Sequence, residues 1–286
     1  MNIHTDGKSL YHPAFNSPDA DVTLTSSEGT LYRVPSFTLR TTSGTFRKLL
    51  SPPRGIDNPL DNPILVPEKN LTLEIALRMI SGLELPKWHS FDELEDVLVL
   101  VEKWEAQGPI SVIRSAVTAP MFLSEPLRLY ALATRLGWEM EAKLASTCTL
   151  ALSLYDEQHQ PPLYRMSSKA LLALLALHRS RRDEFQRLVD SDERFNVGNT
   201  ENFLCPACSE PMDNHSWREL KAKMFMEMDQ RPLGDTLTGL EMEEWPEGIA
   251  CWNARCPTAG CGRLYYNKLS TLREIKDCID RLPTTV

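Results

Sequence analysis

The sequence predicts an α+β fold. A small sheet flanked by helices comes first, then a helical extension, then a mainly helical, cysteine-rich module. Three observations carry this reading. Apolar alternation at Val22, Leu24, Leu31 and Val34, broken by Ser26-Ser27-Glu28-Gly29, is the pattern of a β-hairpin. Helical apolar spacing then runs through most of the chain to about residue 190. Five of the seven cysteines crowd between Cys205 and Cys261.

The elements follow in order. Residues 1–18 are polar and read as a flexible N-terminal tail. After the hairpin, Leu39, Phe46, Leu49 and Leu50 recur at helical spacing, and Ser51-Pro52-Pro53 stops them. Pro59 to Pro63 reads as a loop and Ile64 to Pro67 as a short strand. Leu73, Ala76, Leu77 and Ile80 form a helical stripe ended by Gly82. Ser90-Phe91-Asp92-Glu93 is a capping box, in which Ser and Glu satisfy each other's free backbone N–H groups. The helix it opens is read as ending at Gly108-Pro109. Leu129, Leu132, Ala133 and Leu136 mark the extension, Gln158 to Pro162 a loop, and Ser168 the cap of a helix through Leu177. In the tail, Trp217, Leu220, Met224 and Met228 make one amphipathic helix; Thr271 to Glu274 reads as a second capping box. The expected domains are 19–118 for the first unit, 119–190 for the extension, 191–204 for a linker and 205–286 for the cysteine-rich module.

Composition bounds the function. A chain of 286 residues suits about two domains at ~100–200 residues each. Thirty-one Lys and Arg against 39 Asp and Glu leave a net charge of −8. That argues against a nucleic-acid grip over the whole surface, because phosphates attract Lys and Arg, but leaves room for a local basic patch. The longest apolar run, Ala170 to Leu177, is far short of the ~20 residues that span a bilayer. The polar N-terminus lacks the apolar stretch of a secretory signal. The expectation is a cytoplasmic or nuclear protein with no membrane partner, whose cysteines stay reduced.

The stretch from Asp19 to Pro35, followed by Phe37 to Leu50, resembles the BTB/POZ fold. Asp21, Val22, Leu39, Ser43 and Phe46 match its pattern; Pro35 stands where the family has a His. Glu125 to Glu139 is similar to the helical extension of BTB proteins expanded in mushroom-forming fungi, so the resemblance covers roughly residues 19–190. It implies a protein-interaction module, self-association as a homodimer, and in some members delivery of substrates to cullin ubiquitin ligases. Dimeric members often pair the Asp that matches Asp21 with a basic residue, and Ser36 stands at that basic position here. Thr72-Leu73-Glu74 aligns with the cullin-binding motif, with Thr72 in place of a large apolar residue.

The cysteines have their own pattern. Cys205-Pro-Ala-Cys208 and Cys256-Pro-Thr-Ala-Gly-Cys261 are two short turns, each able to aim two sulfurs at one ion about 2.3 Å away. The four candidate ligands are Cys205, Cys208, Cys256 and Cys261, and the expected cofactor is a structural zinc. Cys251 and His215 are neighbours able to replace a ligand. Free thiols in a small core and a redox CxxC are the other readings. Cys148, Cys278 and His178 fall within helices and read as packing residues.

No phosphate-cradling loop, GxSxG elbow or HExxH helix is present, so the sequence reads as non-enzymatic. The leading expectation is an interaction scaffold or adaptor. Its rivals are a cullin-ligase substrate adaptor and a transcription regulator touching DNA through the zinc module. Residues 201–286 carry 14 Asp/Glu and 10 Lys/Arg, with Arg263, Lys268 and Arg273 as the modest basic candidates. The acidic stretch Glu241 to Glu247, with Trp245, reads as a solvated loop or as a docking loop for a basic partner.

Overall fold

The computed structural model describes residues 10–51 and 62–286. The structure is α+β and mostly helical, with one small three-stranded sheet. Two compact units divide it, Met1–Ser124 and Glu125–Val286.

In the first unit, β1 (Val22–Thr25) pairs antiparallel with β2 (Leu31–Val34), Val22 facing Val34 and Leu24 facing Tyr32. Period-two alternation buries Val22, Leu24, Tyr32 and Val34 on one face; Leu31, read with this set from the sequence, is half-buried, because it stands three residues from Val34 and so falls on the opposite face. Gly29 takes φ +81° in the turn, a conformation other residues adopt only at a steric cost. α1 (Ser36–Thr42) and α2 (Gly44–Leu49) follow. They meet at Ser43, whose buried hydroxyl donates to Trp104 O and accepts from Phe46 N. β3 (Ile64–Leu65) then adds parallel to β1, giving the strand order β2-β1-β3. The expected stop at Pro52-Pro53 and most of the expected loop at 59–63 lie outside the described residues.

α3 (Asn70–Ser81) buries Leu73, Ala76, Leu77 and Ile80 and ends at Gly82 with φ +65°. α4 (Phe91–Lys103) carries the predicted cap: Ser90 Oγ accepts from Glu93 N, while Glu93 reaches back to His89 N. α5 (Gln107–Ala116) and α6 (Pro120–Leu123) complete the unit.

Three expectations for this unit need correction. The tail reading fails for residues 10–18. Leu10, His12 and Phe15 exchange backbone hydrogen bonds with Leu31 and Arg33, Phe15 is buried, and the His12 ring stacks on Tyr32. Few apolar residues were needed, because the free edge of β2 supplied the partners. Gly108-Pro109 does not terminate α4. Pro109 sits in the first turn of α5, where its missing N–H costs nothing. The boundary falls after Ser124 instead of residue 118, because Phe122 of α6 is buried against Phe91 and Trp88 of this unit.

The second unit begins with α7 (Pro126–Leu136) and α8 (Glu139–Thr149), joined through Gly137 at φ +70°. The expected loop at 158–162 is instead a short 3-10 turn running into α9 (Gln160–Tyr164), with prolines in its first turn. α10 (Ser168–Val189) is capped by Ser167, one residue before the expected Ser168. Then come α11 (Asn196–Asn199), α12 (His215–Gln230), α13 (Leu240–Glu244), α14 (Pro246–Asn253) and α15 (Lys268–Asp280). The cap of α15 is Asn267, accepting from Ser270 N, so Thr271 lies inside the helix and the second capping box is not formed.

The end of the expected extension shares one core with the linker and the tail. Phe185, Leu188 and Val189 of α10 pack with Trp217, Leu220, Met224 and Met228 of α12, and with Met242, Cys251 and Ile275. The expected linker enters this core through buried Phe195, and Asn199 bonds Val189 O and accepts from Trp217 Nε1. Arg181 is 2% exposed and donates to the carbonyls of Pro232, Leu233 and Pro283, tying two distant loops to α10. Among the described residues, no helix is long and apolar enough to cross a membrane.

Candidate metal centre

Two hairpin knuckles build the site. In the first, Cys205 N donates to Glu210 O, and Leu204 and Pro211 form an antiparallel bridge. In the second, Cys256 N donates to Arg263 O, and Arg255 and Leu264 form the matching bridge. The two turns are the same device at two lengths, the second holding two more residues between its cysteines. That longer turn is made by Gly260 at φ +83° and closed by Gly262 at φ +55°.

The knuckles bring the four predicted sulfurs together, all within 4.8 Å of one another. Cys205 Sγ lies 3.8 Å from Cys261 Sγ, and Cys208 Sγ lies 3.4 Å from Cys256 Sγ. A tetrahedron of thiolates at ~2.3 Å from a zinc ion has edges of ~3.8 Å, so the donor set has the size and chemistry for that ion. The cluster is a group that could hold a metal ion, and all seven cysteines are free thiols. A small core of Cys205, Met212 and Cys256, with Phe203 and Tyr265 against it, covers the site.

The polar surroundings favour thiolates unequally. The backbone N–H of Ala207 pulls the Cys205 thiol down. The Thr258 hydroxyl and then its N–H bring Cys256 to about 7. For Cys261 the Arg263 N–H favours the thiolate, but burial and the three neighbouring sulfurs outweigh it and push the group up to about 11. Four sulfurs this close cannot all ionise without a cation among them, because each thiolate disfavours the next. Metal binding would remove that conflict.

Thr258 is the residue that spacing alone did not single out. Its Oγ1 lies 3.3 Å from Cys256 Sγ and 3.7 Å from Cys208 Sγ, so it touches both knuckles. A hydroxyl two residues after a knuckle cysteine was the available signal. Such outer partners orient ligands and tune their basicity.

The two substitute ligands lie elsewhere. Cys251 is fully buried in the α12–α14 core, and burial pushes its thiol up to about 12. His215 is exposed at the start of α12 and pairs with Glu219 at 3.1 Å. Cys148 and Cys278 are helical packing residues, and His178 is a buried one bonded to Thr149 at 3.1 Å.

The residues for which the BTB/POZ resemblance implies partner binding have contacts within the first unit. Both Asp21 oxygens are taken by Ser36, one by its N–H and one by its hydroxyl, each at 2.6 Å. Burial raises the Asp21 carboxyl, but these bonds outweigh it and leave the group below its ordinary value. Thr72 and Leu73 are buried, and Glu74 is bonded to Arg78 at 2.7 Å and His12 at 3.2 Å. Of the basic candidates in the tail, Lys268 is paired with Glu243 at 2.9 Å. No family model matches the chain, and no curated protein matches it.

Proposed function

We propose that this chain is a non-enzymatic protein-interaction adaptor, with a BTB/POZ-like first unit and a second unit stapled by one structural zinc. The observation that carries the zinc reading is the closed set Cys205, Cys208, Cys256 and Cys261, which leaves no side open for substrate. In a four-thiolate site the ion supplies folding energy and crosslinks the two knuckles; it does not activate water. Thr258 and the knuckle N–H groups would hold the sulfurs in place around it.

Support for the first unit comes from the motif residues. Ser43 and Phe46 form the buried joint between α1 and α2, Phe46 meeting Trp104 edge-to-face with ring centroids 5.1 Å apart. Asp21, engaged by Ser36, favours a partner contact that does not run through an Asp21–cation pair. The buried Thr72-Leu73 pair likewise favours a general adaptor over a cullin adaptor.

Elemental analysis of the purified chain tests the metal. The expected result is one zinc per chain, reduced to none by Cys208→Ser with Cys261→Ser. A fully folded chain free of metal defeats the zinc reading. Light scattering tests self-association: a concentration-dependent dimer is expected, and a strict monomer at high concentration removes the homodimer.

A further inference from the structure

The acidic stretch before Cys251 is not a loop. Glu241 and Glu243 lie in α13 and Glu247 in α14, and α14 packs beside α12. Between α12 and α14 runs an open groove of about 470 Å³. One wall is Glu219, Ala222, Lys223 and Met226, the i, i+3, i+4, i+7 stripe of α12; the other is Pro246, Glu247 and Ala250. Ala222 and Ala250 are small, which leaves the floor open. Exposed Met226 lies in the groove, and exposed Ile249 and Leu240 stand on α14 and at the start of α13.

Carboxylates outnumber cations along this trough, although Glu243 is paired with Lys268 and Glu219 with His215. Residues 240–250 contain Glu241, Glu243, Glu244 and Glu247 and no Lys or Arg. The cation in the groove wall, Lys223, is already paired with Glu227 at 2.7 Å and lies over the Trp245 ring. Glu247 has one carboxylate oxygen buried with no hydrogen-bond partner. A desolvated oxygen of that kind is costly until a donor reaches it.

We infer that this groove is a docking site for a basic amphipathic helix of a partner protein. An apolar trough between two helices accepts a third helix by ridges-into-grooves packing, with anchors at i, i+3/i+4 and i+7. Leucine- or methionine-like anchors cover Ala222, Met226 and Ala250, and Lys or Arg at the flanks meets Glu247 and, in competition with His215, Glu219. An acidic helix would place like charges against the same rim and is rejected. The site belongs to α12–α14 alone and does not rest on the adaptor reading.

The test uses the full chain and two fluorescein-labelled peptides of about four helical turns. Both carry leucine on one face; one carries lysine on the rest and the other glutamate. Fluorescence anisotropy is expected to show saturable binding of the lysine peptide that weakens with salt. Ala250→Trp, which fills the groove, and Glu247→Lys should each weaken it about tenfold or more, a ~1.4 kcal/mol effect. Glu157→Lys, outside the groove, should change it less than about twofold. Circular dichroism and metal content, unchanged in each variant, separate lost docking from lost folding. Four results overturn the inference: no saturation below about 1 mM; equal or tighter binding of the glutamate peptide; indifference to both groove variants; or a wild-type dimer abolished by Glu247→Lys, which would make a second copy the occupant.

Discussion

The two units bury different chemistry. The first unit's large buried side chains are apolar or aromatic: Val22, Leu24, Tyr32, Phe91, Leu94, Val97 and Leu98. The second unit buries Trp217, Leu220 and Met224 as well, but also His178, Arg181 and two knuckle cysteines. Burial of apolar area stabilises the first at roughly 25 cal/mol per Å², with little dependence on pH or metal. The second adds groups whose cost depends on protonation and on a cation. The first unit should therefore answer to cavities, and the second to solution conditions.

The largest expected effect is on the proposed zinc site. Replacing Cys256 by Ser, or removing metal with a chelator, should abolish ordered structure around the knuckles and lower the unfolding transition of residues 125–286. Structural zinc contributes apparent free energies on the order of 10 kcal/mol in small domains. The transition of the first unit should not move. Thermal melts followed with and without chelator check this, and a chelator-insensitive second transition would break the contrast.

Next comes the core of the first unit. Leu98→Ala in α4 removes a fully buried side chain. It should cost about 2–5 kcal/mol through lost transfer energy and the cavity left behind. Denaturant titration measures it, and the loss should be the same at pH 5 and pH 7 and with or without chelator. A pH-dependent loss would show that the two units are not so different.

The smallest effect sharpens the second unit's dependence on acid. Burial, and then the nearby Arg181 charge, lowers His178 to about 4 from an ordinary 6.5. The folded value lies below the unfolded one, so between them the unfolded chain binds the extra proton. Stability is full above about 6.5 and falls as the pH drops towards 4. The loss is on the order of 3 kcal/mol. Acid also competes for thiolates, so the informative quantity is the difference between the natural chain and His178→Gln, whose profile should be flatter. Identical profiles would remove His178 as the source.

What was legible in the sequence was local. The Ser90 cap works between residues three apart, and α3 and α12 show their periodicity in side chains one or two turns apart. The two knuckles were legible for the same reason, since a CxxC turn aims both sulfurs within one hairpin. α13 and α14 were not, because helices this short draw their stability from packing instead of propensity. Leu10 to Phe15 was missed because its partners are the backbone groups of β2, which no side-chain pattern advertises.

By itself, then, the sequence determined the hairpin, the main helices and the four candidate ligands, all properties of neighbours along the chain. Only the tertiary structure decided that 47 residues between the knuckles fold onto α10 as one core. It also decided that Cys251 is buried away from the sulfur cluster, and that an acidic stretch becomes one wall of a groove. Those outcomes depend on which distant surfaces exclude water together. That choice is made by the balance of burial over the whole unit and not by any short stretch of sequence.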